Sequence, residues 1–149
     1  MRARSIRSRF PCDRRDPLDC DEQAMKALVT AGAYVALADG WIDPAERAEA
    51  VSYIDRRLIA PSIPRERIAS FFDERARRLQ DSDFAQLMID ALRPVAGLSL
   101  TTDVIRVAER VAAADGRVYP GEAHAITLIR LITLAAPEPK LACPPSWRH

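Results

Sequence analysis

The sequence predicts an all-α fold: a compact single-domain helical bundle built from two related helical hairpins. Three observations carry that expectation. Apolar residues recur at helical spacing along most of the chain, and no run alternates as a strand does. Proline, glycine and aspartate fall between the periodic stretches, where helices stop and start. One nine-residue turn also occurs twice, as Ala38-Asp39-Gly40-Trp41-Ile42-Asp43-Pro44-Ala45-Glu46 and as Ala114-Asp115-Gly116-Arg117-Val118-Tyr119-Pro120-Gly121-Glu122. Both copies read A-D-G-x-h-x-P-x-E, with h apolar, at an offset of 115 − 39 = 76 residues. A repeat of this kind marks one structural unit used twice.

The first helix is expected to begin at Asp19, where Asp19-Cys20-Asp21-Glu22 has capping-box form. Met25, Leu28, Val29, Gly32, Val35 and Ala36 continue it at helical spacing. It should end near Asp39, with Gly40 adopting the positive φ of a C′ residue. Pro44 opens the second helix, because the first turn has no use for its missing N–H. Asp43 is a good N-cap and Glu46 completes a second capping box. Ala48, Val51, Ile54 and Leu58 form its expected buried stripe, and Ala60-Pro61-Ser62-Ile63-Pro64 stops it.

A third helix is expected from Pro64 to about Leu79, with Ile68, Phe71, Phe72 and Leu79 inward. Asp81-Ser82 starts a fourth through Phe84, Leu87, Met88, Ala91 and Leu92, and Pro94 ends or kinks it. Thr101 or Thr102 caps a fifth through Ile105, Ala108, Val111 and Ala112. The sixth begins at Pro120. Its Ile126, Leu128, Ile129, Leu131, Ile132 and Leu134 cover most of the circumference, which predicts a central, buried helix.

With 149 residues the chain suits one domain with one core. The expected organisation is a flexible Arg-rich arm over 1–18, a helical domain over 19–136 and a Pro-rich tail over 137–149. Charge is unevenly spread. The first fifteen residues hold six arginines against Asp13, a balance of +5, whereas 21–135 hold 14 basic and 17 acidic residues, a balance of −3. No stretch approaches the roughly 20 apolar residues of a membrane span, and no apolar segment follows the early arginines as in a secretory signal. Cys12, Cys20 and Cys143 are odd in number and lack C-x-x-C spacing, which argues against a disulfide framework or a zinc site. A reducing cytoplasm is the expected compartment.

The repeated turn carries the chemistry. Aligned on an EF-hand loop, Asp39, Gly40, Ile42 and Glu46 fall at positions 5, 6, 8 and 12. Positions 1 and 3 would then be Val35 and Leu37, or Val111 and Ala113 in the second copy, and none offers a side-chain oxygen. A full EF-hand is excluded. The remaining half can still hold a hard cation, because Asp39 leaves one helix as Asp43 and Glu46 begin the next. Glu49, one turn on, extends the acidic surface. The alternative is structural: Asp39-Gly40 is a helix stop and Asp43-Pro44-Ala45-Glu46 a helix start. In the second copy Tyr119 is a poor N-cap, yet Asp115 and Glu122 remain, which caps alone explain less well.

At these residues the chain resembles the TerB family, the all-helical domain associated with tellurite resistance and related to the N-terminal region of DjlA-type co-chaperones. The resemblance runs from about Ala24 to Leu134 and rests on Ala36-Leu37-Ala38-Asp39-Gly40-x-Ile42-x-x-x-Glu46 and Ala112-Ala113-Ala114-Asp115-Gly116-x-Val118-x-x-x-Glu122. It implies a helical bundle with the acids of both motifs on one surface. It implies divalent cation binding, calcium or magnesium, by Asp39 and Glu46 and by Asp115 and Glu122. It further implies a non-enzymatic role in the tellurite stress response, in the cytoplasm, beside membrane-bound and cytoplasmic proteins of that system. The Arg-rich arm and the Pro-rich end stand outside the family pattern.

Other functions fare less well. No Walker loop, G-x-S-x-G or H-E-x-x-H motif is present, and His124 leaves a different side of its helix from Glu122, so an enzyme is not expected. Nucleic-acid binding would rest on the arginine arm alone, since the body carries no basic face. Arg75, Arg77 and Arg78 read as a solvated helix face beside Asp73 and Glu74. A protein-interaction domain without metal is the closest rival, with Trp41 either its exposed anchor or packed on its own hairpin. The absence of a His-Pro-Asp signature excludes a complete J-domain co-chaperone.

Overall fold

The computed structural model describes residues 17–38, 40–57, 63–81, 84–97 and 100–134, with side chains from Glu22 onward within them. These form six α-helices and, among the described residues, no strand. The order is α1 (Pro17–Ala36), α2 (Pro44–Arg57), α3 (Arg65–Asp81), α4 (Phe84–Leu92), a 3-10 turn (Arg93–Val95), α5 (Leu100–Ala112) and α6 (Pro120–Leu134).

The centre is α1, which packs against all five other helices. Its composition explains why. Ala24, Ala27, Ala31, Ala33 and Ala36 are buried on several sides of the helix, and such short side chains let neighbours approach from every direction. At Gly32 a Cβ would lie 3.4 Å from Ala50 Cβ of α2, 3.7 Å from Val111 of α5 and 3.8 Å from Phe72 of α3. Three helices therefore converge on that glycine. Met25, Leu28, Phe72, Met88, Leu92 and Ile129 fill the space between helices and are fully buried.

This arrangement corrects the expectation that α6 lies at the centre. Only Glu122, Ala125, Ile129 and Thr133 of α6 are buried, while Leu131 and Leu134 are 64% and 57% exposed. Branched residues around a whole circumference show that a helix can be buried on any side, not that it is buried on all. The alanine-rich helix takes the middle because it is thinner.

Several smaller expectations also shift. α1 starts at Pro17, two residues before Asp19, so Asp19 is not its N-cap, and the Glu22 carboxylate pairs with Arg67 of α3 instead. In α2 the buried face is Ala50, Val51, Tyr53 and Ile54, whereas Ala48 is exposed; Leu58 lies outside the described residues. Ile68, Phe72 and Leu79 of α3 are buried as expected, and Phe71 is half-buried. Arg75 is buried too, its guanidinium 4.9 Å over the Phe71 ring, so only Arg77 and Arg78 of that cluster form a solvated face. Burial holds the Arg75 guanidinium below its usual pKa.

Pro94 ends α4 as expected, and the chain continues as the 3-10 turn. Neither threonine caps α5. That helix already includes Thr101, whose hydroxyl donates to the Val95 carbonyl at 3.1 Å, and Thr102 is exposed inside it. Val111 is buried as expected, and Val104 and Val107, rather than Ile105, are the other deeply buried branched residues of α5. The expected arm over 1–18 and tail over 137–149 lie almost wholly outside the described residues.

Candidate functional site

The two repeated turns join α1 to α2 and α5 to α6, and the backbone bonds that close their first helices match one for one. The Leu37 and Ala113 amides donate to the carbonyls of Ala33 and Glu109, at 3.0 and 3.1 Å. Ala38 and Ala114 donate to Val35 and Val111, at 3.0 and 3.1 Å. Gly40 and Gly116 donate to Leu37 and Ala113, at 2.9 and 3.0 Å. Both glycines sit at positive φ, 101° and 96°, the left-handed conformation that ends a helix at low steric cost. The helices on either side stop and restart at the same offset, at Ala36 and Ala112 and at Pro44 and Pro120.

The glutamates close the match. Glu46 Oε1 accepts the Asp43 N–H at 3.1 Å, and Glu122 Oε1 accepts the Tyr119 N–H at 2.9 Å. Each is the back-reaching half of a capping box. Asp43 supplies the forward half in the first turn, its Oδ1 accepting from Ala45 N–H at 2.8 Å. Tyr119 cannot do so in the second. Glu122 therefore has a capping role that is independent of the Tyr119 side chain, which removes part of the sequence argument for a ligand.

What distinguishes Glu122 is its other oxygen. Glu46 and Glu122 are both buried, at 2% and 0% exposure. Glu122 Oε2 is buried with no hydrogen-bond partner among the described residues. A buried carboxylate oxygen without a partner is costly, and its lone pairs are available to a cation or a water. Asp115 is exposed, with Oδ1 accepting from Arg117 N–H at 3.3 Å. Asp39 lies outside the described residues. Among the described residues no group of three acidic, histidine or cysteine side chains is gathered closely enough to hold a metal ion. Glu49, expected to extend the acidic surface, instead pairs with Arg110 at 3.2 Å.

The two turns meet at one end of the molecule. A Cβ on Gly121, in the first turn of α6, would lie 3.1 Å from the Ala38 carbonyl oxygen of the first repeat. The tips of both turns point apolar groups outward. Trp41 is 61% exposed, so it does not pack on its own hairpin, and Val118 is half exposed. The Arg117 guanidinium stands 5.6 Å over the Tyr119 ring.

A second polar cluster escaped sequence reasoning because its members are far apart in the chain. Tyr53 of α2 donates to Asp103 Oδ1 at 2.9 Å, and Arg57 Nη2 donates to Asp103 Oδ2 at 3.0 Å. Burial, reinforced by the Asp103 hydrogen bond, pushes the Tyr53 hydroxyl up to about 12. These three side chains clamp α2 to α5. Arg47 and Asp73 clamp α2 to α3 through paired bonds of 2.7 and 2.8 Å at the surface. None of the described helices is long and apolar enough to cross a membrane.

Compared with known proteins, residues 25–135 match the family model described as tellurite resistance protein TerB. Neither a search of curated proteins nor a search of solved structures returned a match.

Proposed function

The chain belongs to the TerB family, and from that premise we propose that it is a non-enzymatic protein of the tellurite stress response that binds divalent cations at its two repeated turns. The reading places Asp39, Asp43 and Glu46 around one ion, and Asp115 and Glu122 around a second. Calcium and magnesium are the ions whose preference for oxygen ligands suits carboxylates, backbone carbonyls and water. The observation that carries the reading is Glu122 Oε2, a buried oxygen with no partner among the described residues, beside an exposed turn. A bound cation supplies positive charge there; the chain supplies the carboxylates and, through the capping bonds, holds each glutamate at the start of its helix.

The first turn carries three acids and the second two, so the first is the tighter site. The protein acts in the cytoplasm, with membrane-bound and cytoplasmic proteins of the same system as its partners. Titration of the full chain with calcium, magnesium and manganese, followed by NMR amide shifts, tests this. Saturable shifts at both turns, lost at the first in Asp39→Asn and at the second in Glu122→Gln, are expected.

One observation favours a second reading, a protein-interaction domain that needs no metal. Trp41 is exposed at the tip of the first turn, and aromatic anchors dominate many interfaces. On that reading Trp41→Ala abolishes partner capture, and cation neither helps nor hinders it. Nucleic-acid binding through the arginine arm is not favoured by any described residue.

A further inference from the structure

Behind the first turn lies a cavity of about 560 Å³, where the C-terminal ends of α1 and α3 meet the start of α4 and the first half of α6. Leu37, Leu79, Phe84 and Leu128 make up much of its wall. The Tyr34 and Phe84 rings face it as a tilted pair, 5.7 Å between centroids and 48° between planes. Its polar side chains are those of Tyr34, Gln80 and His124. All three can donate a hydrogen bond. Among the described lining residues there is no carboxylate, lysine or arginine.

Its size falls within the range of small-molecule sites, roughly 300–1,000 Å³, which are typically apolar with a few convergent polar groups. The Tyr34 hydroxyl makes no hydrogen bond to a described residue, and burial raises its pKa, so it stays a neutral donor. Gln80 and His124 are exposed and stand at the mouth. Against the described wall a charged ligand would lose hydration without gaining a fixed counter-charge. We propose that this cavity binds one small uncharged amphiphile, an aromatic or alkyl body carrying a single hydroxyl or carbonyl head. The body lies against Leu37, Leu79, Phe84 and Leu128, and the head accepts from Tyr34. The cation reading is tested by amide shifts on adding cation and this proposal by probe fluorescence without it, so either can fail alone.

The test uses the full-length protein and N-phenyl-1-naphthylamine, a neutral probe that fluoresces on leaving water. The expected result is a saturable rise at one probe per chain, reversed by 1-decanol and at least tenfold less readily by decanoate. Leu128→Trp, at a half-buried position, fills the cavity and lowers probe affinity at least tenfold with the circular dichroism unchanged. Leu37→Trp does the same from α1's end of the cavity and serves where the first variant misfolds. Tyr34→Phe leaves the probe within twofold but weakens 1-decanol about fivefold, the scale of one net hydrogen bond. Absence of saturable binding, several probes per chain, or affinity unmoved in both folded tryptophan variants would overturn the proposal. Equal displacement by decanoate would overturn the uncharged head. A wild-type dimer that the probe dissociates would assign the cavity to a second copy and overturn it too.

Discussion

At the scale of single residues, the informative atoms are buried polar ones with nothing to bind. Thr30 is fully buried in α1, and its hydroxyl has no partner among the described residues. Thr30→Val keeps the shape and removes that cost, so urea denaturation should show a gain of about 1 kcal/mol. Tyr53 makes a complementary case. Its hydroxyl keeps its proton to about pH 12 in the folded chain, against 10.0 unfolded. The unfolded chain therefore releases that proton first, and stability that is intact below pH 10 falls as pH rises towards 12. Tyr53→Phe should remove that part of the alkaline slope and cost about 1 kcal/mol at pH 7. Glu122→Gln keeps the acceptor for Tyr119 N–H while removing a buried charge. Without cation its melting temperature should equal or exceed the wild type, and added calcium should raise it less.

At the scale of elements, the turns were legible because their chemistry is local. Gly40 and Gly116 announce a positive φ, Pro44 and Pro120 announce a helix start, and both occur where the spacing places them. No side chain lies within 4 Å of a Cβ built on either glycine. Gly40→Ala and Gly116→Ala should therefore cost only the backbone conformation, about 1 kcal/mol each and nearly equal. A large difference in chemical denaturation would show that the repeats are not equivalent. Helix starts without such punctuation were misplaced: Asp19 and Thr101 look like caps but lie inside helices. Capping pattern alone does not say whether a better start lies just upstream, as Pro17 does.

At the scale of the whole molecule, the number and order of helices followed from periodicity, but their layering did not. Which helix is central depends on how closely others approach, and Gly32 with its alanine neighbours decides that only in three dimensions. The Tyr53–Arg57–Asp103 clamp and the cavity beside Tyr34 are likewise assembled from separate helices, so no local pattern announced them. The meeting of the two turns, with Gly121 against Ala38, belongs to the same level and is what makes one end of the bundle the candidate cation surface. The most direct test of that surface is an NMR-monitored calcium and magnesium titration of the full chain beside Asp39→Asn and Glu122→Gln. The account predicts saturable shifts over residues 37–47 and 113–123, tighter at the first turn, with each variant silencing its own turn alone. Shifts that never saturate, or that are the same in both variants as in the wild type, with apo Asp39→Asn destabilised as a lost cap, would contradict it.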